Sequence, residues 1–115
     1  MSFAAGSQLA QSRPSGTSAV SIFTASVATE ITRIVIANTT GSAAAASLYH
    51  DNDGSTFDQT TALMYAVSIP ANSTTMIESG GVGSGFHVAP SGQIAVQTGT
   101  GSALTFTLYG VTEIL

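Results

Sequence analysis

The sequence predicts an all-β protein: a single antiparallel β-sandwich of about eight strands, jelly-roll or immunoglobulin-like, preceded by an extended N-terminal arm. Three observations predict this fold. Short runs rich in β-branched residues alternate with turn clusters along most of the chain. No segment combines the length and the periodicity of an amphipathic helix. The 115 residues are enough for one hydrophobic core.

The N-terminal arm is predicted to comprise residues 1–18, and the sandwich residues 19–115. The arm is rich in Ser, Gln and Gly, and Phe3 and Leu9 are its isolated apolar residues. Such a terminus is either a disordered tail or an arm that becomes ordered on a neighbouring subunit. The predicted interface consists of Phe3, Leu9 and Arg13 from the arm and Arg33 from the sandwich.

The first strands follow the arm. Val20 and Ile22 are predicted to share one face of a strand, and residues 29–38 are apolar on both faces, which favours a central strand. Residues 43–51 begin with four alanines, which are good helix formers. Because this run is short and lies between turn signals, we predict a strand here as well.

Residues 51–55 are the strongest turn signal of the chain. In the strand that follows, apolar residues occupy every second position, which predicts one buried face. These residues are Leu63, Tyr65, Val67 and Ile69.

The last third of the chain is also predicted to consist of short strands separated by turns and loops. Residues 74–78 alternate, residues 80–85 form a Gly-rich loop, and residues 86–88 are a short strand. Gly110 is predicted to be a bulge or bend in the last strand. The predicted inward residues of the last two strands are Ile94, Val96, Leu104, Phe106 and Leu108.

Charge is scarce in this sequence. Charged residues make up 7% of the chain, against about 25% in typical soluble domains. Small residues replace them: 17 Ala, 16 Ser, 16 Thr and 12 Gly. Two Arg and no Lys are too few to neutralise phosphates, which excludes a nucleic-acid partner and argues against docking on anionic lipid. So little charge indicates that much of the surface is covered in an assembly.

The chain has no cysteine, which excludes disulfides and Cys-ligated metals. The N-terminus lacks the basic and apolar regions of a signal peptide, and no run of 18 apolar residues is present. We therefore expect a protein that is made in a cytoplasm and is not inserted in a membrane.

The acidic residues Asp51, Asp53 and Asp58 suggest a calcium loop. A helix-loop-helix calcium site is excluded because Ala62 occupies the twelfth position, where a bidentate Glu is required. A looser calcium site remains an alternative to the favoured hairpin turn, in which Asp and Asn side chains bind their own backbone and Gly54 has a positive φ. His50 and His87 with a nearby Asp would make three zinc ligands, but no helical or close spacing supports such a site.

No nucleophile or phosphate-binding motif is present in residues 80–85, and Ser84 lacks the flanking glycines of a nucleophile elbow. The sequence predicts neither an enzyme nor a cofactor. Arg33 lies in the most apolar strand, either as an outward residue covering its neighbours or as a partner of Glu30, Glu78 or Glu113 at a subunit contact.

Most of the chain beyond the arm resembles a group of small bacteriophage virion proteins. They share five patterns in this order: I-x-x-I-V-I-x-N-T, L-Y/F-H-D-x-D-G-x-T-x-D, T-A-L-x-Y, S-I-x-A-N-T-T, and A-V-Q-T followed by L-T-F-T-L-Y-G-V. The matching segments are residues 31–39, 48–58, 61–65, 68–75 and 95–111.

The resemblance implies a virion structural protein without catalytic residues. The favoured interpretation is a capsid decoration, or cement, protein that binds the major capsid protein on the outer head surface as a homotrimer. The alternative is a tail or tail-fibre component that binds a host glycan. Sugar sites need exposed aromatic residues, and all three tyrosines, Tyr49, Tyr65 and Tyr109, fall within strand patterns compatible with the core.

Overall fold

The computed structural model describes residues 2–78 and 86–114. These ranges contain ten strands and no helix long and apolar enough to cross a membrane. The strands are β1 (Ser2–Phe3), β2 (Ser7–Ser12), β3 (Val20–Thr24), β4 (Thr29–Asn38), β5 (Ala44–Asp51), β6 (Ala62–Ile69), β7 (Ser73–Glu78), β8 (Phe86–Val88), β9 (Gln93–Thr98) and β10 (Leu104–Ile114).

The strands form two antiparallel sheets. Sheet A has the order β1-β10-β4-β7, with β2 also paired to β10 and β8 also paired to β4. Sheet B has the order β3-β9-β5-β6. Four antiparallel pairs are nested along the chain. From the innermost to the outermost they are β5–β6, β4–β7, β3–β9 and β2–β10. This nesting is the jelly-roll arrangement, so the strand order distinguishes between the two predicted sandwich types.

The core lies between the two sheets. Strand β4 has neighbours on both sides, as its sequence predicts, and its Ile31, Ile34 and Ile36 are fully buried. The predicted inward alternation of the last two strands is confirmed. Its fully buried residues are Ile94, Val96, Leu104, Phe106 and Leu108.

The predicted irregularity at Gly110 is also confirmed. The register of β10 shifts between Leu108 and Tyr109 against β2, and between Tyr109 and Gly110 against β4. A Cβ atom at Gly110 would overlap the carbonyl oxygen of Glu30. Glycine is therefore required here because the β4 backbone approaches β10 too closely for any side chain.

The extended N-terminal arm is not confirmed. Strands β1 and β2 both pair with β10 of the same chain, so residues 7–12 form the first strand of the jelly roll. Leu9 and Ala10 pack against the core from this strand. This Ser- and Gln-rich segment joins the sheet because Leu9 and Ala10 bury apolar surface and because β10 offers backbone groups for pairing.

The prediction that Leu63, Tyr65, Val67 and Ile69 share one buried face is wrong. Ile69 is fully buried, whereas the other three are 43%, 52% and 43% exposed. Ala66 adopts the left-handed conformation, with φ of 50°, and its N–H donates to the Ser47 hydroxyl at 2.9 Å. This bulge reverses the alternation, so Met64 faces the core opposite Leu48.

Candidate functional site

Two of the predicted interface residues serve the chain's own fold. Leu9 packs against the core, as described above. Arg13 donates from Nε and Nη2 to the carbonyl oxygen of Ser102, at 2.8 and 2.6 Å, and so ties the segment after β2 to the turn before β10. Phe3 lies in β1, and its backbone pairs with Glu113.

Arg33 is the predicted interface residue that projects outward. It lies on the outer face of sheet A, where its Nη2 atom is 3.5 Å from Oε1 of Glu78 on the neighbouring strand. Both side chains remain about half exposed. Of the partners considered for Arg33, Glu78 is therefore the one that forms an ion pair, and the pair lies within one chain.

Arg33 belongs to a row of side chains that crosses four strands of sheet A. The register pairs Gln8 with Tyr109, Tyr109 with Arg33, and Arg33 with Glu78. With strands about 4.8 Å apart, the row spans roughly 14 Å. We call these four residues the transverse row. They line a shallow groove of about 850 Å³ on the outer face of the sheet.

A second surface lies on strand β6, at the edge of sheet B. Within the described part of the chain β6 pairs with β5 alone, so its other edge carries free backbone groups. We call Leu63, Tyr65 and Val67 the β6 strip. The strand contains no charged residue and no proline, which are the features that normally protect an edge from pairing.

The outer face of sheet B beside the β6 strip is covered by the hairpin loop, residues 52–61. Phe57 packs against the buried Tyr49, with ring centroids 6.5 Å apart. The Tyr49 hydroxyl donates to Oε1 of Gln97 at 2.5 Å. Tyr65 lies at the rim of a hollow of about 500 Å³ together with Phe57 and Asp58. Of the three tyrosines assigned to possible core positions, only Tyr49 is buried, whereas Tyr65 and Tyr109 are exposed.

The acidic loop binds its own backbone. The Asp51 carboxylate accepts the N–H groups of Thr56 and Asp53 at 2.8 and 3.2 Å, and these bonds lower the pKa of Asp51. The Asp58 carboxylate accepts the hydroxyl and N–H of Thr60, which lowers its pKa in the same way. The predicted hairpin is thus confirmed, but Gly54 does not adopt a positive φ.

No family model, curated protein or solved structure gave a significant match to this chain.

Within residues 2–78 and 86–114, no group of three or more His, Cys, Asp or Glu side chains comes together that could hold a metal ion. Nε2 of His50 lies 3.0 Å from Oδ1 of Asn52, which also accepts the N–H of Ala89.

The Gly-rich loop predicted at residues 80–85, with Ser84, lies outside the described residues.

Sequence reasoning missed Leu63, Tyr65 and Tyr109 as surface residues. Leu63 and Tyr65 lie in an alternating apolar pattern that is typical of a buried face, and the bulge at Ala66 turns them outward. For Tyr109 a signal was present, since alternation with the inward Leu104, Phe106 and Leu108 already places residue 109 on the outer face. For β6 the sequence carried no such signal, because alanine rarely adopts the conformation found at Ala66.

Proposed function

We propose that this chain is a bacteriophage virion structural protein, a decoration protein that binds the outer surface of the head and stabilises contacts between capsomers. The observation that carries the proposal is the β6 strip, an apolar and uncharged edge strand with three side chains between 43% and 52% exposed. Exposed apolar side chains gathered on one element mark protein–protein contact sites. The sequence resemblance to small virion proteins supports the same proposal.

The β6 strip is suited to a noncovalent contact with another protein, because its exposed side chains are apolar and the strand has no charge. Burying its apolar side chains contributes about 25 cal/mol per Å² of apolar area. No charge has to lose its hydration, because β6 has none. In this proposal the partner on the shell is the major capsid protein.

The proposed state of the bound protein is a homotrimer on a symmetric site of the shell. Closed symmetry is the common arrangement among soluble oligomers. Three linked copies of the β6 strip would bind one site together, so a modest contact per chain would give a long-lived complex. The trimer would hold adjacent capsomers together across their seams.

The first prediction concerns the outward-facing part of the strip. The double variant Leu63→Ser/Tyr65→Ser should bind particles lacking this protein at least tenfold more weakly than the unmodified chain. Each substitution removes an apolar side chain that would contribute about 1 kcal/mol or more when buried in the contact. Occupancy is measured by cosedimentation with purified particles over a range of protein concentrations.

Met76→Ser is the matched control, because Met76 is 54% exposed but lies on the outer face of sheet A. It should bind particles as the unmodified chain does. Equal occupancy for the double variant and the control would rule out the β6 strip as the shell contact. If the double variant sedimented as a monomer while the unmodified chain was a trimer, the strip would belong to self-association instead.

A tail or tail-fibre component is the second candidate, favoured by the exposure of Tyr65 and Tyr109, since an exposed tyrosine offers a ligand both an apolar ring and a polar hydroxyl. Copy number separates the two candidates. A head decoration protein should be present in hundreds of copies per particle by quantitative mass spectrometry. Three, six or twelve copies would reject the head assignment and favour the tail.

A further inference from the structure

We propose that the outer face of sheet A binds a neutral carbohydrate chain along the transverse row formed by Gln8, Tyr109, Arg33 and Glu78. This surface is separate from the β6 strip, which lies on the edge of sheet B. The inference therefore holds whether the protein is part of a head or of a tail, and it goes beyond a role in decorating a shell.

Tyr109 is the aromatic platform of the row. Leu104, Phe106 and Leu108 of the same strand face the core, so alternation places Tyr109 on the outer face of sheet A. The register sets it directly beside Gln8 on one side and Arg33 on the other. The result is a tyrosine that is 38% exposed at the centre of a sheet face, where its ring can pack on the C–H face of a pyranose and its hydroxyl remains polar.

Arg33 and Glu78 supply the hydrogen bonds. Their closest charged atoms are 3.5 Å apart and both side chains are about half exposed, so neither fully occupies the other's bonding capacity. A guanidinium offers only donors and a carboxylate only acceptors. Adjacent sugar hydroxyls, each both donor and acceptor, can bind such a pair at once, and the Gln8 amide adds a donor and an acceptor at the other end of the row.

The charge of the groove favours a neutral ligand. Arg33 and Glu78 are its only charged side chains among the described residues, and their charges cancel. An anion such as phosphate would meet the Glu78 carboxylate beside the single guanidinium. The chain's net charge of −4 further disfavours an anionic polymer.

The shape of the groove favours a chain over a compact molecule. Its volume of about 850 Å³ falls within the roughly 300–1,000 Å³ of small-molecule sites, and its lining extends from Gln8 on β2 to Glu78 on β7. The row crosses four strands without interruption. Several successive sugar rings could therefore contact it, each gaining little, with the sum setting the affinity.

The test is binding of the purified full chain to an array of neutral bacterial, fungal and plant polysaccharides, with maltohexaose, cellohexaose and chitohexaose titrated in solution. We expect at least one neutral glycan to bind at micromolar to millimolar concentration, with NMR shifts centred on Tyr109 and Arg33. Binding should change less than twofold between 0.1 and 0.5 M salt, because no net charge is involved. Tyr109→Ala should weaken it at least tenfold, and Tyr109→Phe by less than threefold.

The matched control is Tyr65→Ala, which removes a more exposed tyrosine, 52% against 38%, from the other sheet and should leave glycan binding unchanged. The proposal is overturned if no neutral glycan binds, if only anionic polysaccharides bind, or if Tyr109→Ala binds as the unmodified chain does. The two proposals fail separately, since particle binding is expected to depend on Leu63 and Tyr65 and glycan binding on Tyr109.

Discussion

At the scale of single residues, several polar and charged side chains hold loops in place by bonding to the backbone. Asn38 is buried, and its amide donates to the carbonyl oxygens of Ser42 and Ile69 while its oxygen accepts from Thr40. Arg13 and Asp51 bind backbone groups of neighbouring turns. Among the described residues, no buried side-chain nitrogen or oxygen lacks a hydrogen-bond partner. Many of these polar groups thus bond to the backbone of turns, and a buried group that has such a partner does not carry the free-energy cost of an unsatisfied donor or acceptor.

Asp51 gives a prediction about pH at this scale. The N–H groups of Thr56 and Asp53 lower its pKa in the folded state below the ordinary value of 3.8. Stability from these bonds is therefore fully present above pH 3.8 and is lost as pH falls from there through the lowered folded-state value. Asp51→Asn should lower the melting temperature at pH 7, and the difference from the unmodified chain should shrink below pH 3.8.

Thermal unfolding followed by circular dichroism between pH 2 and pH 7 measures both curves. A difference between variant and unmodified chain that stayed constant down to pH 2 would show that ionisation of Asp51 does not stabilise the loop.

At the scale of elements, strands β10 and β6 differ in how their outer edges are covered. On sheet A, β2 covers part of β10, with Gln11 donating to the Thr107 hydroxyl at 3.1 Å and Leu9 and Ala10 packing on the core. On sheet B, β6 is left without a second neighbour among the described residues. The bulge at Ala66 divides its free edge, which discourages continuous pairing with another strand. Contact through side chains is therefore the mode that suits β6.

The role of β2 predicts the effect of truncation. Removing residues 1–12 should destabilise the fold by about 3 kcal/mol or more, because it exposes the edge of β10 and the core surface under Leu9 and Ala10. Urea unfolding followed by circular dichroism measures this loss. Removing residues 1–5 is the matched control: it deletes β1 but keeps β2, and the loss should be much smaller. Equal midpoints for the 1–12 truncation and the unmodified chain would show that these residues are a dispensable arm after all.

At the scale of the whole molecule, the jelly roll presents two surfaces that point in different directions. The nested strand pairs place the transverse row on the outer face of sheet A and the β6 strip on the edge of sheet B. A trimer that binds a shell through one surface can keep the other accessible. The same fold could thus hold a particle together and contact a ligand outside it.

The proposed trimer is a prediction at this scale. Sedimentation equilibrium at several concentrations should give a mass of about three times the 11.5 kDa chain. The Leu63→Ser/Tyr65→Ser variant should keep that mass, because the strip is assigned to the shell contact. A concentration-independent mass of one chain would reject the homotrimer in solution.

The sequence by itself determined the fold class, the central position of β4 and the inward residues of β9 and β10. These follow from local patterns, namely β-branched runs, strict alternation and turn residues, which need no knowledge of distant partners. The irregularity at Gly110 was also predictable, since glycine in a strand marks a bulge or a close approach. For Arg33 the sequence left two possibilities open, an outward position covering its neighbours or an ion pair at a subunit contact.

The tertiary structure alone decided the rest. Residues 7–12 became a strand because β10, about a hundred positions away along the chain, offered an open edge to pair with. The β6 strip became a surface because the Ser47 hydroxyl holds the Ala66 bulge from a neighbouring strand. The transverse row exists only because register aligns four segments from distant parts of the chain. Local patterns specify which segments are strands, whereas edges, bulges and register depend on which strands meet, and that is a property of the assembled sheets.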